Sequence, residues 1–261
     1  MDLDFSEPEI ERYARHILLA EIGGTGQARL RAARVLVVGA GGLGCPLVLY
    51  LAAAGVGTIG VLDDDSVSLS NLQRQVAHGT ADLGKLKVIS AAASARRINP
   101  HVTLHPIAAR LSAANALDLV APYDIICDGT DNFAARFLLA DACHLAGKTL
   151  ISAAVLRFEA QLATFRPGSP CYRCLYPAPP PAGLVPSCAE AGVLGAVTGV
   201  AGTLQATEVL KEILGIGESL AGKLLLWDAL SARFRTVAVP RDPHCALCGD
   251  APSIHNLSAH D

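Results

Sequence analysis

The chain has 261 residues, of which 51% are hydrophobic, and a formal net charge of −3. This length suits one large core, or a nucleotide-binding domain with a modest extension. The charges form no basic stripe, which argues against nucleic acid as a partner. The acidic start, with Asp2 and Asp4, lacks the basic and apolar regions of a signal peptide, and no segment is apolar for long enough to span a bilayer. We therefore expect a cytoplasmic protein that binds neither nucleic acid nor membranes.

The first two thirds of the chain predict an α/β domain. Apolar residues at helical spacing predict an N-terminal helical segment over residues 1–33, broken at Gly23-Gly24. Strands and helices then alternate over residues 34–166, as in βαβ units. The predicted strands are Arg34–Val38, Thr58–Leu62, Val102–Ile107, Tyr123–Cys127 and Thr149–Ala154, and the predicted helices are Leu43–Ala54, Gly84–Ile98 and Phe133–Ala146. We expect a Rossmann-like, doubly wound and mainly parallel sheet.

The last third predicts an antiparallel extension of this sheet. Phe158–Phe165 alternates apolar and polar residues, as a half-exposed antiparallel strand does. Residues 167–248 predict a crossover loop, the helix Val193–Leu214 and a hairpin made of Leu224–Trp227 and Phe234–Val239. Glycines in that helix would let another backbone approach closely, and they are Gly195, Gly199 and Gly202. Residues 249–261 predict a flexible tail, and all the segments together predict one integrated domain.

A glycine-rich loop predicts a nucleotide site. Residues 39–44 read GAGGLG, the G-x-G-x-x-G spacing, between a predicted strand and a predicted helix. Glycines there allow a tight turn and close phosphate approach, while the start of the helix offers N–H groups to an anion. Asp63 ends the second strand, where a carboxylate accepts hydrogen bonds from ribose hydroxyls. NAD and ATP both satisfy this pattern. The glycines concerned are Gly39, Gly41, Gly42 and Gly44.

Three charged residues favour ATP. In a doubly wound sheet, strands one and four are neighbours, and ligands bind above their carboxyl ends. Asp131 follows the fourth strand and would face the glycine loop, with Arg74 and Lys87 arriving from the second and third units. A triphosphate with magnesium needs such a carboxylate and such cations, whereas a dehydrogenase does not. On the sequence alone, the two cations could also be ordinary helix-face charges, and Asp131 could be a helix cap, a role that Asn132 fills equally well.

These segments carry a family resemblance. The most specific are residues 39–44, the SNLQRQ run at residues 70–75, GTDN at residues 129–132 and CYRC at residues 171–174. The chain resembles the ubiquitin-activating-enzyme superfamily, in particular its branch of molybdopterin-synthase and thiazole-biosynthesis adenylyltransferases (MoeB/ThiF). The resemblance covers nearly the whole chain, from Arg12 to Cys248.

The resemblance implies a reaction. It implies ATP-dependent adenylation of the C-terminal Gly-Gly carboxylate of a ubiquitin-like sulfur-carrier protein, with release of pyrophosphate, in molybdenum-cofactor or thiamine biosynthesis. The implied cofactors are ATP, magnesium and zinc. It assigns binding of the ribose to Asp63 and binding of magnesium to Asp131. It also implies a homodimer, in which Arg15 reaches the terminal phosphates in the site of the other subunit. The remaining phosphate-binding residues that it implies are Asn71, Arg74 and Lys87. Without the resemblance, Arg15 would be read as a solvated surface charge.

Two Cys-x-x-Cys pairs predict a metal site. The pairs are Cys171 with Cys174 and Cys245 with Cys248. Disulfides are a poor explanation without a signal peptide, and four thiolates suit tetrahedral zinc. The 70 residues between the pairs exceed the gap in an ordinary zinc ribbon, so the zinc interpretation depends on the resemblance as well. A four-thiolate site leaves no position for water and would therefore be structural.

Cys188 is a candidate nucleophile. It lies between the proline-rich residues 177–183 and a predicted helix, whose N-terminus would lower the thiol pKa. By resemblance it matches a cysteine that some members join to the carrier or use in sulfur transfer, and that others do not need. No rhodanese-like segment follows Cys248, so we expect a separate sulfur donor. The other cysteines, Cys45, Cys127 and Cys143, lie in apolar contexts and predict core packing.

Two rival functions come from other classes. An NAD-dependent oxidoreductase would explain the glycine loop and Asp63 but leaves Arg74, Lys87 and Asp131 without a role. A non-catalytic scaffold would keep the fold and the zinc site, and the same three charged residues argue against it.

Overall fold

The computed structural model describes residues 4–181, 184 and 191–260. Within these residues, eight strands form one sheet in the order β3-β2-β1-β4-β5-β6-β7-β8. The strands are β1 Arg34–Val38, β2 Thr58–Leu62, β3 Thr103–Ile107, β4 Ile125–Asp128, β5 Thr149–Leu156, β6 Glu159–Phe165, β7 Lys223–Asp228 and β8 Arg233–Ala238. The α-helices are α1 Glu7–Ile17, α2 Gly23–Ala32, α3 Gly44–Ala54, α4 Lys87–Ile98, α5 Ala116–Val120, α6 Phe133–Leu145, α7 Tyr172–Leu175 and α8 Gly195–Leu214.

The sheet confirms the predicted fold. β1 pairs in parallel with both β2 and β4, and the parallel part continues to β3 on one side and β5 on the other. From β5 to β8 each pair is antiparallel, so the C-terminal strands extend the sheet as expected. The chain therefore winds outward in both directions from β1 and β4, as in a doubly wound sheet.

Both faces of the sheet are buried at its central strand β1. Val35 and Val37 belong to a core shared with α3, α4 and α8, whereas Leu36 and Val38 belong to a core shared with α6. Successive side chains of a strand point to opposite faces, so a run of five residues with four fully buried needs helices on both sides. None of the helices in the described residues is long and apolar enough to cross a membrane.

Glycines let α8 lie close to its neighbours at two of three predicted positions. A Cβ on Gly202 would lie 2.5 Å from the Leu43 carbonyl oxygen, and one on Gly195 would lie 2.2 Å from the Gln73 carbonyl oxygen. Side chains at these positions would therefore push α8 away from α3 and from the segment before Arg74. The prediction is wrong for Gly199, where a Cβ would lie within 4 Å of no heavy atom of the described residues.

Gln205 joins α8 to two neighbouring strands. Its side chain is fully buried, and its Nε2 donates to the carbonyl oxygens of Asp128 (2.9 Å), the last residue of β4, and of Ile151 (2.7 Å), within β5. A buried carbonyl without a partner is costly. The amide therefore fixes β4 and β5 relative to α8 beside the crevice described below.

The two ends of the chain differ from the sequence-based expectation. The N-terminal helical segment breaks at residues 18–22, and Gly23, with φ +58°, begins α2 instead of interrupting a helix. Residues 249–260 pack on the domain: Leu257 is buried against Leu138 and Ala142 of α6. A single apolar residue carries no periodic signal, so the sequence did not reveal that α6 offers this side chain a partner face.

We predict that Gln205→Leu lowers the free energy of unfolding by about 2–4 kcal/mol, because it leaves two buried carbonyls without donors. Denaturant unfolding followed by circular dichroism measures this change. Thr207→Ala, which alters an exposed side chain on the same helix, should stay within about 0.5 kcal/mol of the parent. Equal stabilities of the two variants would show that the Gln205 bridge contributes nothing.

Candidate active site

A cavity of about 1050 Å³ opens above the carboxyl ends of the central strands. It lies where β1 and β4 are neighbours and the connections diverge, the point at which open α/β sheets bind ligands. The structure thus has a cavity at the edge of the sheet where the sequence predicts a site. The predicted site residues that line this cavity are Gly39, Gly41, Gly42, Asp63, Arg74, Lys87 and Asp131.

The glycine loop is a tight turn that abuts the loop after β4. Gly39 has φ +97°, and a Cβ there would lie 2.7 Å from the Gly129 carbonyl oxygen. Gly44 does not line the cavity; a Cβ on it would lie 1.8 Å from the Gly39 carbonyl oxygen, so it serves the turn itself. Within the described chain, the N–H groups of Gly41 and Gly42 donate no hydrogen bond. They lie just before α3, where such groups bind anions.

Asp63 is held rigidly at the rim of the cavity. Its Oδ2 accepts a hydrogen bond from the Ala40 N–H, and its Oδ1 accepts one from the Asp65 N–H, both at 2.8 Å. Each oxygen keeps a further lone pair. The carboxylate is thus oriented by backbone groups and can still accept from a ligand hydroxyl.

Two cations reach the same cavity from neighbouring segments. Lys87 is the first residue of α4, which begins there and not at Gly84 as predicted, because Leu86 is extended and bridges to Ser66. Its side chain is only 7% exposed, and its Nζ lies 2.6 Å from Asp65 Oδ2. Arg74 donates from Nη1 to the Ser70 carbonyl oxygen. A buried ammonium interacts strongly with nearby anions, since water screens it little.

Asn132, and not Asp131, caps the helix after β4. The Asn132 Oδ1 accepts a hydrogen bond of 2.9 Å from the Ala135 N–H at the start of α6. The helix-cap role considered for Asp131 is therefore filled by its neighbour. Asp131 is exposed and lines the cavity.

Two further predicted residues, Asn71 and Arg15, do not line this cavity. Asn71 does not line it, and its carbonyl accepts hydrogen bonds from the N–H groups of Arg74 and Gln75, so it shapes the turn that carries Arg74. Arg15 is exposed on α1 and does not line it either; its predicted role concerns the site of another subunit and stays a prediction. Cys188 lies outside the described residues.

Sequence reasoning missed two buried polar residues in the cavity wall. Gln75 is 3% exposed, and its Oε1 has no hydrogen-bond partner in the described residues. Arg136 donates from Nη2 to the Thr130 carbonyl oxygen, while its buried Nε has no partner in the same residues. Unpaired buried groups in a cavity are where a ligand can complete a hydrogen bond. Gln75 stands beside Arg74 in the SNLQRQ run, so that segment carried the signal.

A buried ion-pair cluster closes another part of the wall. Asp141 is fully buried and receives two hydrogen bonds from Arg173, Nε to Oδ1 at 2.8 Å and Nη2 to Oδ2 at 2.7 Å. His260 Nε2 lies 2.7 Å from the same Oδ2. The hydrogen bond to Asp141 raises the pKa of Arg173. No sequence signal linked these residues, because they come from three distant segments.

The two Cys-x-x-Cys pairs meet in one cluster that could hold a metal. The four sulfurs lie within 4.8 Å of one another. Cys171 Sγ is 3.5 Å from Cys245 Sγ, and Cys174 Sγ is 3.3 Å from Cys248 Sγ, well beyond a disulfide bond. Four thiolates arranged tetrahedrally around zinc lie about 3.8 Å apart, since each Zn–S bond is about 2.3 Å. The donor set and its spacing fit such an ion.

Comparison with known proteins identifies the family. Residues 13–247 match the ThiF family. The chain belongs to the ThiF family. It is 48% identical over 259 residues to a sulfur carrier protein adenylyltransferase of Thermus thermophilus, covering 97% of this chain and 96% of that protein. It is 55% identical over 258 residues to the bovine "adenylyltransferase and sulfurtransferase MOCS3", covering 98% of this chain. The chain spans 57% of the length of that bovine relative.

Solved structures agree with the ThiF-family fold. The crystal structure of Escherichia coli MccB superposes with a TM-score of 0.82 at 24% identity and covers 97% of this chain and 76% of that one. MccB crystallised with ATP gives a TM-score of 0.78 at 25% identity, with 91% and 73% covered. At such identity the likeness supports the architecture.

We predict that Asn132→Ala lowers the free energy of unfolding of this ThiF-family protein by about 1 kcal/mol, because the first turn of α6 loses its cap. Asp131→Ala is the matched control and should change the free energy of unfolding by less than about 0.5 kcal/mol. Thermal or denaturant unfolding measures both. A larger loss for Asp131→Ala than for Asn132→Ala would reverse the assignment of the cap.

Proposed function

We propose that this chain uses ATP to adenylate the C-terminal carboxylate of a ubiquitin-like sulfur-carrier protein that ends in Gly-Gly. The observation that carries the proposal is the gathering of a glycine loop, two cations and an exposed carboxylate around one cavity. The Thermus relative, named a sulfur carrier protein adenylyltransferase and matched over nearly its full length, supports the same activity. The step would belong to molybdenum-cofactor or thiamine biosynthesis.

In the proposed reaction the protein needs only to align the two reactants and to neutralise charge. A carboxylate oxygen of the carrier attacks the α-phosphorus of ATP and forms a mixed anhydride with AMP. The bond from the α-phosphorus to the bridging oxygen breaks, and pyrophosphate leaves with that electron pair. No general base is needed, because the carboxylate is already ionised at neutral pH. The site must align two anions and neutralise the developing charge.

The cavity residues suit those two tasks. Arg74 and Lys87 supply positive charge beside the phosphates, and the N–H groups of Gly41 and Gly42 add the partial positive charge of a helix start. Asp65 lies 2.6 Å from the Lys87 ammonium and holds it in the crevice. The Asp63 carboxylate, oriented by two backbone N–H groups, would accept hydrogen bonds from the ribose hydroxyls.

We infer that Asp131 would hold magnesium. Carboxylate oxygens are ligands that Mg²⁺ prefers, and Asp131 presents one in the cavity while Asn132 caps the helix, so the residue fits the ion. When bound, the ion would neutralise phosphate oxygens. An NAD-dependent oxidoreductase is favoured less, because Arg74, Lys87 and Asp131 line the same cavity as the glycine loop, whereas a dehydrogenase needs no such carboxylate and cations around the pyrophosphate of NAD.

The remaining predictions extend this proposal. A homodimer in which Arg15 reaches the other subunit's site is compatible with the exposed position of Arg15 on α1. A role for Asn71 at the phosphates, a covalent role for Cys188 and a separate sulfur donor stay predictions.

We predict that Asp131→Ala reduces carrier-dependent exchange of pyrophosphate into ATP by about 100-fold or more, because the phosphates lose their metal-holding carboxylate. The unfolding curve should match that of the parent chain. Asp118→Ala, an exposed carboxylate of α5 that does not line the cavity, is the matched control and should leave the exchange rate unchanged. Full exchange in Asp131→Ala would exclude this residue from the reaction.

We propose further that the cysteine cluster holds a structural zinc ion. Cys171 and Cys245 are separated by 74 positions in sequence and lie 3.5 Å apart at their sulfurs. Four protein thiolates fill a tetrahedral shell, which leaves no open position for water. The ion would therefore link the segment after β6 to the segment after β8. Closing so long a loop restricts the unfolded chain and stabilises the fold.

We predict about one zinc ion per purified chain, measured by elemental analysis, and a loss of about 5 °C or more in Tm on chelation. Cys171→Ser should bind no zinc, and its Tm should be lower than that of the parent chain by the same amount as on chelation. Cys188→Ser should keep the zinc, because the four clustered thiols already complete the shell. If the purified chain contains no metal and its Tm does not change on chelation, the zinc site is disproved.

A further inference from the structure

Directly beneath the glycine loop lies a buried group of side chains that the proposed chemistry leaves unused: Cys45, His78 and Ser90. His78 is 7% exposed, Ser90 is 2% exposed and Cys45 is fully buried. We propose that His78 is a positioning residue that clamps the Ala40 carbonyl and thereby aims the Gly41 N–H into the cavity. This inference rests on the proposed function, since it concerns how the loop receives the phosphates of a nucleotide.

The contacts form a continuous chain from α4 to the loop. His78 Nε2 lies 3.0 Å from the Ala40 carbonyl oxygen, and His78 Nδ1 lies 2.9 Å from Ser90 Oγ. Cys45 Sγ lies 3.3 Å from the same carbonyl oxygen and 3.5 Å from His78 Nε2. Because a carbonyl oxygen only accepts, His78 Nε2 must carry the hydrogen and donate it.

The ring is held as one neutral tautomer. Burial lowers the pKa of His78; the hydrogen bond to the Ala40 carbonyl raises it by less, Lys87 lowers it, and Asp82 and Asp63 raise it, so that the pKa is lowered overall. A neutral ring that donates from Nε2 must accept at Nδ1, so the Ser90 hydroxyl donates to it. The Ala40 carbonyl, which can only accept, thus sets the tautomer, and the Ser90 hydroxyl supplies a donor for Nδ1.

Cys45 takes part as a thiol and not as a nucleophile. Burial raises its pKa to about 12, so the sulfur keeps its proton at neutral pH. The Cys45 S–H then donates weakly to the Ala40 carbonyl oxygen beside the His78 bond. The three side chains resemble a catalytic triad in composition, but their burial and protonation make them a support for the backbone.

The geometry of the peptide bond links the contact between His78 and the Ala40 carbonyl to the direction of the Gly41 N–H. A trans peptide is planar, and its C=O and N–H point in opposite directions. With the Ala40 carbonyl turned down to His78, the Gly41 N–H of the same peptide points away from His78, and Gly41 lines the cavity. The Ala40 N–H is fixed as well, by Asp63 Oδ2. The loop is therefore ordered before a phosphate arrives, which lowers the entropic cost of binding.

Two substitutions distinguish the hydrogen bond from His78 to the Ala40 carbonyl from a role of His78 in packing alone. In His78→Gln the amide nitrogen can occupy the place of Nε2, whereas in His78→Asn the shorter amide reaches only the place of Nδ1. We expect His78→Asn to raise the KM for ATP in pyrophosphate exchange by about tenfold, with kcat within about twofold, since one oriented hydrogen bond is lost. His78→Gln should stay within about threefold of the parent KM. Equal KM values for the two variants would overturn the inference.

A spectroscopic measurement on the unaltered chain tests the clamp without any activity. Nitrogen-15 NMR at pH 7 should show His78 as the neutral tautomer protonated at Nε2, and Ser90→Ala should weaken that preference. A neutral ring protonated at Nδ1 would overturn the inference, even if His78→Asn failed to fold. If the parent chain exchanges no pyrophosphate, the proposed function fails while the tautomer still decides the role of His78.

Discussion

The backbones of Gly39 and Gly129 meet where β1 and β4 pair, so closely that a Cβ on Gly39 would lie 2.7 Å from the Gly129 carbonyl oxygen. This approach brings the loop after β1 and the loop after β4 to one cavity. The loops carry different chemistry: the first offers N–H groups and a helix start, and the second offers the Asp131 carboxylate. These N–H groups and this carboxylate share one cavity because the two backbones touch.

Around this contact, several side chains hold the backbone in place. Gln205 Nε2 donates to the carbonyls of Asp128 and Ile151, Asp63 accepts from the Ala40 N–H, and His78 contacts the Ala40 carbonyl. In the cavity wall, Gln75 Oε1 and Arg136 Nε lack a partner in the described residues and are available to a ligand. A site built this way needs little rearrangement when charge develops.

The cysteine cluster is connected to the cavity by a residue of one of its Cys-x-x-Cys pairs. Arg173 stands between Cys171 and Cys174 and pairs with the fully buried Asp141 on α6, and it lines the cavity. A charge buried as deeply as that of Asp141 needs such partners. The cysteine cluster and one wall of the cavity are therefore parts of a single packed unit. Leu257 and the residues around it complete that unit against α6.

The sequence by itself determined the doubly wound sheet, the glycine loop and the family, because alternating periodicity and short spaced motifs are local patterns. It also named Asp63 and Asp131, which follow predicted strands, Lys87 in the first turn of a predicted helix, and Arg74 in the SNLQRQ run. Only the tertiary structure decided what these residues touch: that Asn132 takes the cap, that Asn71 lies outside the cavity and that residues 249–260 pack on α6. It alone joined His78 to the Ala40 carbonyl across 38 positions and Asp141 to His260 across 119. Hydrogen bonds between distant segments arise from packing and leave no period in the chain, so no reading of neighbouring residues reveals them.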